Sequence, residues 1–433
     1  MKTVIRPESE MKDSGIEWVE NIPKNWRLRK INSLFETIGS GTTPNSNIEE
    51  YYQGMVNWLQ SGDINGTIVK STKKHISNEI ISNTSALTVY KAPFIVIAMY
   101  GASIGNISMV DIDACTNQAC CALVKPIKDI DMQYAFWGLM AAKEELVLSS
   151  RGGGQPNISQ NIIKQLRIPV PYLQEQQAIA DYLDETCSKI DEIIAEAKAS
   201  IDEYKNLREA VISNATTRGI KKNRCMKSSG VEWVLEIPSD WDMIPAKVLF
   251  SQSNERKHVD DVQLTASQKY GIISQVEYMK RENSRIVIAT QGIENWKHVE
   301  PNDFIISLRS FQGGLEKSDV SGCITWHYVV LKANNGVYYD YFKWLFKSDK
   351  YINALQGTCN FIRNGQDLRF SNFVQVPLLV VPIEEQKEIA DYLNKKVPKI
   401  DSLIAEKESL IADLEAYKKS LIYEVVTGKR RVV

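Results

Sequence analysis

SGIEWVENIPKNW at residues 14–26 returns as SGVEWVLEIPSDW at residues 229–241. Trp18, Pro23 and Trp26 of the first copy match Trp233, Pro238 and Trp241 of the second. A second phrase, EQQAIADYL at 175–183, returns as EQKEIADYL at 385–393. The order is lead motif, long insert, EQ phrase, twice over. Between lead motifs and EQ phrases the two inserts share almost nothing that aligns. Self-similarity of this kind sets the architecture before any local reading does. One frame is used twice to carry two different blocks.

The EQ phrases open long helices. Proline starts a helix readily but disrupts its interior, and after Pro171 neither proline nor glycine interrupts 172–218. After Pro382 only Pro398 intervenes before Gly428. That proline is expected to kink the second helix or to end a short one ahead of the main one. Apolar residues follow at steps of three and four: Leu183, Cys187, Ile190, Ile194, Ala197, Ile201, Tyr204 and Val211. The second copy gives Leu393, Val397, Ile400, Ile404, Ile411, Leu414 and Leu421. This is a heptad seam. Arg208 and Lys418 interrupt it at matching places, as polar residues that fix register do, and Lys407 stands where the first copy has Ala197. Two seams tethered in one chain favour pairing with each other over pairing between chains. About 43 residues of helix span roughly 65 Å at ~1.5 Å per residue, more than one ~34–36 Å turn of DNA.

Each insert reads as a small mixed domain. Phe94–Met99 and Cys120–Val124 in the first, and Ile286–Thr290, Phe304–Leu308 and Tyr328–Lys332 in the second, have the apolar runs of buried strands. Ile130–Leu148 and Tyr338–Tyr351 read as helices. The fold class is therefore α+β, with two small α/β-mixed domains separated by two long antiparallel coiled-coil helices in a pseudo-two-fold repeat. The divisions fall at 1–165, 166–220, 221–375 and 376–433.

The chain is similar to the specificity subunits of Type I restriction–modification enzymes along nearly its whole length. The residues that carry the resemblance are the two SGxEWVxxIPxxW lead motifs and the two EQxxIADYL helix starts. In the first insert they are joined by GTTP (41–44), NWLQSGDING (57–66), GASIGN (101–106) and TNQA (116–119). The second insert adds NDFIISLRSFQGG (302–314) and SGCITWHYVVL (321–331). Pro171 stands one residue further from its EQ pair than Pro382 does, a small change in how the helix is entered. The resemblance implies that 1–165 and 221–375 are target recognition domains, each reading one half of a bipartite, asymmetric site in double-stranded DNA. It implies that the helices set the spacer and dock two methyltransferase subunits, and that translocase–endonuclease subunits join for restriction. S-adenosylmethionine, ATP and Mg2+ then belong to those partners, and this chain holds no cofactor.

Composition neither supplies nor forbids that reading. Net charge is −1 with 52 Lys+Arg against 53 Asp+Glu, so there is no basic footprint of the kind nucleic-acid-binding domains usually carry. Residues 166–220 hold 6 Lys+Arg against 10 Asp+Glu, and 221–375 hold 20 against 17. DNA affinity must come from locally grouped cations or from partner subunits. No apolar run reaches the ~20 residues of a membrane span, and the opening residues lack a secretory leader. Seven scattered cysteines with no CxxC pair fit a reducing, cytoplasmic setting.

Catalytic signals are missing. Thr427-Gly428-Lys429 ends a helix and is no phosphate loop. No Pro-Pro dipeptide exists for an amino-methyltransferase motif. His75, His258, His298 and His327 lack metal-ligand spacing, so neither catalytic nor metal residues are expected. Asp303 and Glu316-Lys317 have the wrong spacing for a nuclease and read as surface ion pairs, while Asp260 and Asp261 read as turn acids. Candidate DNA contacts are chosen by side-chain chemistry: Arg, Asn and Gln for base edges, Lys, Ser and Thr for phosphates. They are Ser40, Thr42, Thr43, Lys73, Lys74, Arg151, Gln155 and Asn157 in the first insert. In the second they are Arg309, Ser310, Gln312, Arg363, Asn364 and Gln366. The four tryptophans of the lead motifs are expected to pack the joint between insert and helix. The rival readings are a coiled-coil scaffold that binds proteins and an enzyme with a degenerate site.

Overall fold

The computed structural model describes residues 2–150, 156–267, 269–284, 292–306, 315–358 and 368–432. Two compact units emerge: Met1–Glu196 with Leu410–Val433, and Ala197–Ser409. The first long helix runs Leu173–Arg218 and the second Ile383–Val426, so each contributes one part to either unit.

The same frame is built in both. In the first unit the lead motif folds as a hairpin that pairs Met11–Asp13 with Asn21–Pro23. The chain leaves Trp26 as strand Arg27–Lys30, which pairs antiparallel with Arg167–Val170 immediately ahead of the long helix. In the second unit the hairpin is Met226–Val231 with Val234–Pro238, and Asp242–Ile244 pairs with Leu378–Val380. Each insert is thus closed at its base by a short antiparallel ladder that ties lead motif to helix start. Strand Thr3–Ile5 pairs with Arg430–Val432, joining the chain just ahead of the first lead motif to the end of the second helix within the first unit.

The inserts differ. The first holds a five-stranded sheet in the order 35–39, 120–126, 94–98, 107–110, 68–69, with a three-stranded sheet of 114–116, 56–59 and 74–76 beside it. FIVIA at Phe94–Ala98 lies between two neighbours and is buried on both faces, as its unbroken apolar run requires. The second has a four-stranded sheet in the order 250–253, 329–333, 304–306, 316–317. Their cores differ in chemistry. In the second unit Phe250 packs its ring 5.2–5.8 Å from those of Phe304, Phe342, Phe346 and Phe373. The first unit buries Phe35 in a cluster that mixes aliphatic residues such as Ile95, Ile97, Leu123 and Leu139 with Tyr134, Phe136 and Trp137.

Two expected single helices are each broken. Ile130–Leu148 is Met132–Ala141 followed by Lys143–Leu148, because Ala142 leaves helical geometry at φ −87°, ψ 4°. Tyr338–Tyr351 is Tyr339–Leu345 and Asp349–Gly357, with the buried Ser348, itself in an extended conformation, turning its hydroxyl back onto the Leu345 carbonyl at 2.7 Å. Pro398 does not end a helix: the second long helix continues through it. Val397 and Ile400, on either side, are buried and hold the turn that the missing amide would loosen. Strand Phe304–Ile306 lies within the expected Phe304–Leu308; its last two residues, with the rest of 307–314, and the expected strand Ile286–Thr290, within 285–291, lie outside the described residues.

The heptad seam is present in both units. Leu183, Cys187, Ile190 and Ile194 are buried with Leu421, Ile422, Val425 and Val426 in the first. Ile212 and Ala215 are buried with Ile389, Leu393 and Val397 in the second. There Ile212 takes the fully buried place and Val211, the expected seam residue, packs at its edge. The two polar interruptions form the ion pairs of the seam: Lys418 Nζ lies 2.6 Å from Asp191 in the first unit, and Arg208 Nε 2.8 Å from Asp401 in the second. Within the first unit the helix start at Glu175 and the helix end at Gly428 share Arg6, while Asp191 meets Lys418 further along, so the pairing is antiparallel. Within the second unit Arg208 meets Asp401 and Lys221 meets Glu388, again antiparallel.

Candidate functional site

The joints between lead motif and helix form from the repeated residues. In the first unit the Trp26 indole donates to Glu175 at 3.0 Å, Arg6 donates to the same carboxylate at 2.7 Å, and the guanidinium lies 5.8 Å from the indole ring. In the second the Trp241 indole donates to Glu385 at 3.1 Å, Arg224 donates to it through both terminal nitrogens, and the guanidinium lies 5.2 Å from the ring. Burial alone would push the Glu385 carboxyl up, but hydrogen bonds from Arg224 and Trp241 and the charges of Arg224 and Lys221 hold it below its ordinary value. The glutamines behave alike. Gln176 bonds Pro171, Asp129 and Asp131 of its backbone surroundings, and Gln386 bonds Val381, Gly336 and Tyr338. The EQ pair is therefore a clamp, with Glu holding the lead motif and Gln holding the insert.

The opposite helix end completes each joint. Gly428, at φ +73°, sits against Pro23, where an added Cβ would lie 2.5 Å from the ring. Gly219, at φ +75°, sits against Arg224 and Glu385, at 2.9 Å from each. Only glycine meets both the left-handed conformation and the close approach. Trp26 and Trp241 are fully buried, as expected for packing residues, and Trp18 and Trp233 lie at the edges of the two cores.

Of the residues chosen as DNA contacts, three gather in one region of the first insert. Thr43, Lys73 and Lys74 line a cleft of about 440 Å³, together with Tyr52, Gln60 and His75. Lys73 and Lys74 are exposed, and the Lys74 ammonium lies 5.9 Å from the Tyr52 ring centroid. Thr42 reaches the cleft only through its carbonyl, which accepts the Trp58 indole at 3.3 Å. Ser40 stands apart, accepting from Gln160 at 2.6 Å. Gly41 is pressed onto the Thr116 carbonyl so closely that a Cβ would overlap it, which fixes the path of the GTTP loop. Asn157 is exposed and bridges to Tyr100, away from that cleft. Arg151, Gln155, Arg309, Ser310, Gln312, Arg363, Asn364 and Gln366 lie outside the described residues.

Side-chain chemistry alone does not single out Gln60, Gln118, Tyr52 and His75. Gln118 accepts the Thr43 hydroxyl at 2.6 Å. Gln60 and Gln118 belong to NWLQSGDING and TNQA, so those motifs hold the signal. Asp303 and Glu316 are not the surface charges their spacing suggests. Both are buried, Asp303 capping the Glu300 amide at 2.9 Å and Glu316 pairing with Lys347 at 2.9 Å. Burial pushes both carboxyls up, with the partners pulling back.

Residues 23–203 match the family described as Type I restriction modification DNA specificity domain. The chain is 23% identical over 438 residues to the Type I restriction enzyme MjaVIII specificity subunit of Methanocaldococcus jannaschii, covering 95% of this chain and 94% of that protein. These likenesses, over residues 23–203 and along nearly the whole chain, are all to specificity subunits of Type I restriction enzymes and support that reading of the chain. The putative MjaX specificity subunit of the same organism is also 23% identical, over 96% of both chains. The fold is shared with a chain solved in work on complex assembly and conformational transition of a type I R-M system. That chain has a TM-score of 0.69 at 14% identity, over 94% of this chain and 99% of its own length. It is shared too with the HsdS subunit of Thermoanaerobacter tengcongensis, at a TM-score of 0.50, 14% identity, and 94% and 98% coverage. Among the described residues no helix is long and apolar enough to cross a membrane.

Proposed function

We propose that this chain is the specificity subunit, the DNA-reading component, of a cytoplasmic Type I restriction–modification complex. Each insert reads one half of a bipartite, asymmetric site in double-stranded DNA. The long helices set the spacer and dock two methyltransferase subunits, and translocase–endonuclease subunits join the assembly. Methyl transfer from S-adenosylmethionine and Mg2+- and ATP-dependent translocation take place on those partners, and this chain contributes no catalytic group and no cofactor.

The observation that carries this reading is the joint built twice. The same Trp, Glu, Gln, Arg and helix-end Gly hold two inserts that differ in sheet order and strand number. A frame repeated around unlike contents suits two independent readings delivered to one machine. Leu410 and Tyr417, left exposed seven residues apart on the part of the second helix that belongs to the first unit, offer an apolar edge for a partner helix. The Lys73–Lys74 edge of the cleft supplies phosphate-binding charge, and Gln60 and Gln118 supply base-edge chemistry.

Exchange of residues 27–165 for the corresponding insert of a relative, followed by mapping of methylated positions in DNA from cells carrying the complex, tests this. One half of the recognised sequence is expected to change. A change in both halves, or in neither, refutes the assignment of one half-site to each insert.

A further inference from the structure

Among the described residues, one group of side chains outside the joints and the cleft has the composition of a metal site. Glu255, His258 and His298 each bring a ligand atom to within 4.8 Å of the others. Backbone pairing places them together: His298 donates its amide to the Glu255 carbonyl at 2.9 Å, and Lys257 donates to Trp296 at 2.9 Å. The loop carrying Glu255 and His258 is thereby laid along strand Lys297–Val299, which is itself paired with Gly322–Ile324.

The arrangement is graded from inside to outside. His298 is buried, and its Nδ1 is held by the buried Asp261 carboxylate at 2.9 Å, leaving Nε2 as the available donor. Asp261 also accepts the His258 amide at 2.7 Å, so it anchors the loop as well as the ring. Glu255 Oε1 lies 3.0 Å from His258 Nε2, and Glu300 lies 3.8 Å from His298 Nε2. A carboxylate behind a ligating histidine fixes ring orientation and raises ligand basicity in metal sites generally. Lys332 is the competing cation, but it meets Glu255 through Oε2 and Glu300 through its own Oε2, leaving the oxygens that face the imidazoles free of it.

We propose that Glu255, His258 and His298 bind a borderline divalent cation of the Zn2+ type, with Asp261 as the supporting carboxylate. Two imidazoles and one carboxylate suit zinc and its first-row neighbours and disfavour hard Mg2+ or Ca2+, which take oxygen ligands. Tetrahedral bonds of about 2.0–2.1 Å require ligand atoms about 3.4 Å apart; Glu255 Oε1 and His258 Nε2 are already 3.0 Å apart, and no pair of the set has more than about 1.4 Å to close on binding. The exposed Glu255 and His258 side chains make that movement, His258 turning from its stack on His298, while His298 stays fixed by Asp261. Three protein ligands leave one position for water. The ion staples the 255–261 loop to the sheet of the second insert. Nothing in this depends on which DNA sequence that insert reads.

The test uses the full chain, stripped with chelator, desalted and titrated with zinc chloride, with bound metal counted by elemental analysis after gel filtration. Calorimetry gives the affinity. One zinc per chain is expected, with a rise in melting temperature. Glu255→Gln and His258→Asn remove ligands whose side chains are half exposed, so folding survives, and each should weaken binding at least tenfold. Asp261→Asn should weaken it by about 10–100-fold. Cys225→Ser, which removes an exposed thiol elsewhere, should bind as the parent does. Failure of the stripped chain to retain zinc overturns the proposal. So does unchanged affinity in both Glu255→Gln and His258→Asn, which would put the metal elsewhere.

Discussion

Replacing Glu385 by alanine, and separately Glu175, makes the same change in two copies of one joint that differ in exposure. The Glu385 side chain is 3% exposed and Arg224 12%, while Glu175 is 28% exposed beside an Arg6 that is 8% exposed. Removing one member of a buried pair costs about 3–5 kcal/mol, mostly because the other charge stays behind unpaired. Arg224 keeps the exposed Asp240 at 2.5 Å, which places Glu385→Ala near about 3 kcal/mol. Water reaches Glu175, and without it Arg6 keeps Glu10 at 3.7 Å and the Gly428 carbonyl at 2.9 Å, so Glu175→Ala loses two charge-assisted bonds with partial replacement, about 1–1.5 kcal/mol. For units of this size, at about 2–4 °C per kcal/mol, the melting shifts are about 6–12 °C and about 2–6 °C. Differential scanning calorimetry of the two variants reads both. Acid supplies a second readout. The folded Glu385 carboxyl lies below its ordinary value, so its stabilisation is complete above that value and is lost as pH falls through the folded one. The gap between the parent and Glu385→Gln should therefore narrow as pH drops below about 4.3. Equal shifts for the two alanine variants, or a gap that widens in acid, would refute the clamp as described.

Inserting seven residues after Ala199 and seven after Ser409 keeps heptad phase, and Asp191–Lys418 and Arg208–Asp401 retain their partners. Each helix grows by about 10.5 Å, and methylation mapping should show a spacer longer by at most about three base pairs at ~3.4 Å each. An unchanged spacer in a stable variant would move the ruler to the partner subunits. Lys73→Ala combined with Lys74→Ala should leave the recognised sequence intact. It should lower the slope of log affinity against log salt by about 1.8 in the assembled complex, and an unchanged slope would remove the cleft edge from the phosphate contacts. Gly428→Ala forces an L-residue to φ +73° with its Cβ 2.5 Å from Pro23. A loss of about 1–3 kcal/mol is expected by denaturant titration, and a neutral result would mean that the helix end is free to move.

What the sequence made legible was what repeats. Lead-motif tryptophans, EQ pairs and the heptad seam each occur twice, and duplication separates a structural signal from chance. Arg208 and Lys418 could be marked as register residues from position alone, yet their partners Asp401 and Asp191 lie on the other helix and only pairing reveals them. The helix breaks at Ala142 and Ser348 escaped because both sit inside continuous apolar periodicity, and tertiary packing chose the turn. Asp303 and Glu316 escaped because charge suggests surface, whereas strand position buried them beside Glu300 and Lys347. The Glu255–His258–His298 group escaped for the simplest reason: His298 lies some forty residues along the chain from the other two, and only backbone pairing brings them together.

The contrast between the interlocked phenylalanines around Phe250 and the mixed aliphatic and aromatic core around Phe35 bears on how the inserts of such a protein can change. Rings at 342 and 346 are cut to fit rings at 250, 304 and 373, so a residue borrowed from the other insert arrives with the wrong volume and leaves a void or a clash. Gradual drift from one insert toward the other therefore passes through poorly packed intermediates. Wholesale replacement does not, because the base ladder and the clamp meet every insert with the same backbone. On this packing, exchange of an entire insert costs less than drift of its core by point substitution, which is tolerated best in the loops at the rim.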